Sequence, residues 1–175
     1  MLEVEATIRR FRDYVIQQAK SNLTKGGKNS SKDLYNSLKG EIVTDKGFTI
    51  VGFQMNDYGT FVDLGVRGKT SSLKAPNSPY KFGTGTGRKG GLTQGINKWV
   101  KQKGFQFRDK RGRFMSYDST AYLITRSIFQ KGIKPSLFFT KPFEAGYKKY
   151  IDVDLIKAFG QDIDTMVDYN LKDIK

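Results

Sequence analysis

With 175 residues, 37% of them hydrophobic and 13% aromatic, the chain is sized for one domain with a modest core. It has no cysteine and no histidine, which excludes disulfides, thiolate sites, the commonest zinc ligand and the commonest general base. Its net charge of +14 requires a polyanionic partner or an arm that other chains neutralise, and no run approaches the roughly 18 apolar residues of a membrane span.

Val4, Ile8, Phe11, Val15 and Ala19 recur at helical spacing and predict an amphipathic helix ending near Asn22. Its other faces are charged, unlike a secretory leader, so a soluble chain made in the cytoplasm, with no membrane partner, is expected. A glycine-rich loop follows at residues 24–29. A short helix then carries Leu34 and Leu38 on one face, with Ser30 or Ser31 as its cap and Gly40 as its stop. The period changes next, and residues 41–44 and 48–53 predict a hairpin turning at Asp45, Lys46 and Gly47. The stretch NDYGTFVDLG (56–65) predicts a third strand over 58–64, anchored by Tyr58, Phe61, Val62 and Leu64, with the Asp63 carboxylate among them. Residues 67–92 set basic side chains among Gly, Ser, Thr and two prolines, with few aliphatics after Leu73. They predict a long, flexible, basic loop or arm.

Thr93 is the predicted cap of a helix over INKWVKQKG, with Ile96, Trp99 and Val100 buried and Gly104 ending it. Residues 105–115 predict a hairpin or extended turn around 109–112. Tyr117, Ala121, Ile124 and Ile128 mark another helix, closed by Gly132. Pro135 and Pro142 predict extended chain over 133–143, which also holds Leu137, Phe138, Phe139 and Phe143. The last predicted element, 152–175, is an amphipathic helix with Leu155, Phe159, Ile163, Met166 and Val167 on one face, Asp152 and Asp154 near its positive end. The sum is an α+β domain spanning 1–175: a small antiparallel sheet packed with amphipathic helices, carrying a long basic loop at 67–92.

The charge is uneven. Residues 67–113 hold 13 basic side chains against 1 acidic, while 151–175 hold 3 against 6. GTGTGRKGG (83–91) lacks the Gly-Lys-Ser/Thr spacing of a Walker loop and a leading strand, and it is no Rossmann fingerprint, so no cofactor is expected. Asp162 and Asp164 do not face each other on a helix, so with Asp168 they read as a solvated acidic face and not as a metal site. Nothing singles out a nucleophile, and no enzyme activity is expected. A nucleic-acid-binding module is the alternative function. Across 96–114, Lys98, Lys101, Lys103, Arg108, Lys110, Arg111 and Arg113 interleave with Trp99, Phe105, Phe107 and Phe114, offering charge for phosphates and rings for stacking. The competing reading makes the rings core residues and the cations the surface between them.

Four segments follow in order: Tyr58, Phe61, Val62, Asp63 and Gly65; Ile96, Trp99, Lys103 and Gly104; Ile124, Ile128, Gly132, Lys134 and Pro135; and Phe139, Pro142 and Phe143. Over about residues 34–149 this succession resembles the tail-completion (head–tail joining) proteins of long-tailed bacteriophages. The chain departs from that pattern with Asp63 where Glu is common and Val66 where Thr is common. The resemblance implies a structural virion protein, made in the host cytoplasm, that forms a homo-oligomeric ring in the neck between portal or adaptor proteins and the tail tube. Its interfaces would draw on Tyr58, Phe61, Asp63, Lys69, Arg88, Lys89, Phe138, Phe139, Phe143, Asp162, Asp164 and Asp168, the basic middle and the acidic last helix being the two unlike patches of a head-to-tail ring. Genomic DNA in the channel would face Arg88, Lys89, Lys101, Lys103, Arg108, Lys110, Arg111 and Arg113.

Overall fold

The computed structural model describes residues 2–28, 31–45, 48–85 and 91–172. It is an α+β structure with two small antiparallel two-stranded sheets, and the chain divides into two compact units. One comprises Met1–Gly59 with Leu137–Lys175, the other Thr60–Ser136.

The first unit is built on α1 (Leu2–Lys25). Its predicted stripe is buried except for the half-buried Val4 and extends one turn further, so that Thr7, Ile8, Phe11, Val15, Ala19 and Leu23 form the inner face. The helix ends where Gly27 takes a left-handed conformation, with Lys28 N–H bonded to the Leu23 carbonyl and Gly27 N–H to that of Thr24. In α2 (Asp33–Ser37) the position before the helix is Lys32, whose side chain makes no capping bond; of the two predicted caps, Ser31 accepts from the Asp33 N–H at 3.5 Å and Ser30 lies outside the described residues. Gly40 does not stop this helix. It lies in β1 (Lys39–Asp45), where a side chain would collide with Ile16 and Arg12 of α1.

Strand β2 (Phe48–Gln54) pairs antiparallel with β1 in a register running from Lys39↔Gln54 to Asp45↔Phe48, the predicted hairpin; the turn residues Lys46 and Gly47 lie outside the described residues. The period of two then sorts the side chains. Ile42, Val51 and Phe53 are half-buried, whereas Val43, Phe48 and Ile50 point the other way and stay exposed. After the return of the chain, α6 (Thr140–Gly146), a π-helical stretch (Tyr147–Leu155) and α7 (Ile156–Lys172) complete the unit. Phe11, Phe53, Phe139, Phe143 and Tyr147 pack with ring centroids 5.5–6.5 Å apart, mostly edge to face. The extended reading of 133–143 is therefore corrected in its second half. Pro142 is the third residue of α6, inside the first turn, where a missing N–H breaks no helical bond.

The predicted third strand is a helix, α3 (Tyr58–Leu64). Tyr58, Phe61 and Val62 stand at i, i+3 and i+4, which fits a helix as well as a strand over so short a run. Local bonds decide it: Gly59 N–H reaches the Asn56 carbonyl, and Asn56 N–H is held by the Ser37 hydroxyl. A side chain on Gly59 would meet Met55 and Leu34.

In the second unit, Gly65 (φ 71) turns the chain into β3 (Val66–Arg67), which pairs with β4 (Gly132–Ile133). Helix α4 (Gly91–Lys103) starts two residues before the predicted cap at Thr93 and packs on α5 (Tyr117–Lys131), which Ser116 caps by accepting from Ser119 N–H. Residues 68–85 form no helix, yet they are not a free arm. Ser78 is buried and donates to the Gly65 carbonyl (2.7 Å), Thr70 donates to the Gln130 carbonyl (3.0 Å), and Phe82 rests on Phe129. Polar fastening replaces the apolar area that the segment lacks. Arg88 and Lys89 lie outside the described residues.

Candidate functional site

Each unit presents one surface of interest. The second unit holds 16 basic and 3 acidic side chains, so +13 of the chain's +14 sits on it. Its chain turns back after α4 through Gly104 (φ 61), with Phe105 N–H closing on the Val100 carbonyl. Val100 is fully buried, but Trp99, predicted to share its burial, is 38% exposed. Trp99, Phe105 and Phe107 form a row with centroids 6.1 and 5.2 Å apart. The row is pinned from behind: Phe107 N–H donates to the buried Thr120 hydroxyl (3.2 Å), and Met115 N–H donates to the Phe107 carbonyl (2.8 Å).

The predicted turn at 109–112 is present, and Asp109 organises it. Its carboxylate accepts from the N–H groups of Arg111 (2.8 Å) and Arg113 (2.9 Å) and from Arg113 Nε (3.2 Å). The Arg113 N–H foremost, then that of Arg111 and the Arg113 side chain, hold the Asp109 carboxyl below its ordinary value of 3.8. A depressed value means that the turn keeps this contribution at and above pH 3.8 and loses it as the pH falls through the folded value. The Arg111 and Arg113 amide resonances should therefore shift together below that pH, and Asp109→Asn should remove the shift. Arg108 lies 4.0 Å from the centre of the Phe114 ring, and its Nη1 donates to the Gly112 carbonyl. Lys101 stands 4.0 Å from Asp118, whereas Lys98, Lys103, Lys110 and Arg111 form no ion pair among the described residues.

The first unit presents an apolar surface. On α7, Ala158 and Asp162 face inward, and the apolar stripe continues past them through Ile156, Phe159, Ile163, Met166 and Val167, which are 44–70% exposed. An open apolar cleft of about 460 Å³, lined by Val4, Ile8, Thr49, Leu155, Ile156 and Phe159, adjoins it. Val43 and Ile50, directly opposite each other on the outer hairpin face, add a second uncovered patch with Phe48. The sequence marked the α7 face as apolar but gave no sign that it would be left uncovered, and it gave none for the hairpin face.

The residues put forward for an interface are scattered and differ in access. Phe138 is 1% exposed, and Phe139 and Phe143 belong to the ring cluster, so these three build the first unit's interior. Asp63 is buried; Tyr58 and Phe61 are exposed, Phe61 against Tyr80. Lys69 is exposed and held by its backbone. Asp162 is no part of a solvated acidic face. Its carboxylate accepts from the Glu3 (3.3 Å) and Val4 (3.2 Å) N–H groups and so caps α1 from the far end of the sequence. Asp164 and Asp168 are exposed. Lys101, Lys103, Arg108, Lys110, Arg111 and Arg113 are all exposed in the second unit.

Among the described residues no group of carboxylates is placed to hold a metal ion, and no helix is long and apolar enough to cross a membrane. None of the protein-family models, curated proteins or solved structures compared with the chain matches it.

Proposed function

We propose that this chain is a structural virion protein of a tailed bacteriophage, forming a homo-oligomeric ring in the neck that joins the portal or adaptor to the tail tube. The observation that carries the reading is the uncovered apolar surface of the first unit. A helix with five large apolar side chains in solvent beside an apolar cleft, with a separate apolar patch on the outer hairpin face, is the kind of surface that another chain covers. The +13 second unit and the exposed Asp164 and Asp168 of α7 supply unlike patches, which a head-to-tail ring uses. Two of the segments that carry the resemblance also meet in space. The Val62 carbonyl accepts from both the N–H and the hydroxyl of Ser136, and Val66 pairs with Ile133. The role is assembly, with no catalytic step.

Phe159→Gln combined with Val167→Gln removes apolar area from exposed positions only. The variant should melt like the wild type and fail to enter phage particles when it is the sole copy supplied. Incorporation at the wild-type level would remove the α7 face as the assembly surface.

A further inference from the structure

We propose that the second unit binds single-stranded nucleic acid across the Trp99–Phe105–Phe107 row, with bases stacked on the rings and phosphates along Lys103, Lys110 and Arg111. This does not depend on the neck assignment. The three rings are 38–41% exposed, so they are not the core residues that one reading of the sequence makes them. They are tilted or T-shaped to one another, at 50° and 76°, and so are not closed into a stack of their own. Burying them against a second copy would bring two units of +13 together, a cost that rises as salt is lowered. The partner that fits is a polyanion with apolar flat faces. A single strand meets both conditions, whereas a duplex keeps its base faces inside the stack.

The cations are placed for it. Lys103 lies one helical turn beyond Trp99 on the same face of α4, and Lys110 and Arg111 occupy the exposed turn held by Asp109. All three lack an ion-pair partner among the described residues, so a phosphate displaces no internal contact. The Arg108–Phe114 pair, which flanks this turn, offers a second platform, a ring already topped by a guanidinium.

The chain has a single tryptophan, so its emission reports on this row alone. Full-length protein is titrated with an oligothymidylate and, separately, with a duplex, across a salt series, following oligonucleotide anisotropy and tryptophan emission. The expected result is quenching that saturates together with the anisotropy, tighter binding of the strand than of the duplex, and a steep salt dependence. Lys103→Gln with Arg111→Gln should flatten the log–log salt slope by about 1.4. Phe107→Leu, which keeps apolar bulk, should weaken the strand about ten-fold. No binding at low salt, unchanged tryptophan emission on binding, or a duplex bound as tightly as the strand would each overturn the proposal.

Discussion

Gly132→Ala should destabilise the second unit by about 3 kcal/mol or more. Gly132 closes α5 with φ 83 and ψ −179, a conformation that essentially only glycine adopts without strain. A Cβ there would run into the Val66 carbonyl oxygen and lie 2.6 Å from Gly68 N, and both of these are backbone atoms that cannot swing aside. Gly68 faces the same restriction from the Gln130 carbonyl. Gly65 faces it from Ile133 O at 2.5 Å and Pro135 N at 2.7 Å. Three glycines thus let two segments far apart in sequence cross backbone to backbone, which the Val66↔Ile133 and Arg67↔Gly132 pairs then lock. Hydrogen exchange of the Thr60–Ser136 amides, with urea unfolding alongside, measures the effect. Gly160→Ala is the control: it lies in α7 with open space around it, and it should raise stability by about 1 kcal/mol. Wild-type protection in Gly132→Ala would mean that the two backbones have room for a side chain where they cross.

Phe138→Ala should cost the first unit about 3–5 kcal/mol. At 1% exposure it is among the largest fully buried side chains, and its carbonyl accepts from the Asn22 amide of α1. A ring removed from that fully buried position leaves a cavity that its surroundings fill only in part. The outcome separates two roles for this residue. A side chain that serves an interface leaves the isolated subunit's urea midpoint where it was; one that fills the interior lowers it sharply.

Much of the secondary structure was legible because period and turn chemistry agreed. The hairpin shows it, with two β-rich runs about Asp45-Lys46-Gly47, as does α5, with its spacing and closing Gly132. Residues 58–64 misled because seven residues satisfy both a strand and two turns of helix, and the choice rests on Ser37 and Asn56, outside the run. Pro142 misled because proline is as well suited to a first helical turn as to extended chain. The surfaces were the least legible part. Amphipathicity says that Phe159 and Ile163 share an apolar face, but not whether a neighbour covers it, and Trp99 escaped burial for the same reason. The cap that Asp162 places on α1 joins residues 159 positions apart and has no local signature at all.

Assembly into a neck ring fixes the number of copies of this chain in purified phage particles, which quantitative mass spectrometry reads against the major capsid protein. The expected result is a small fixed ring number, about six or twelve copies per particle. A chain absent from the particle would overturn the neck assignment and leave nucleic-acid binding as the proposal to test.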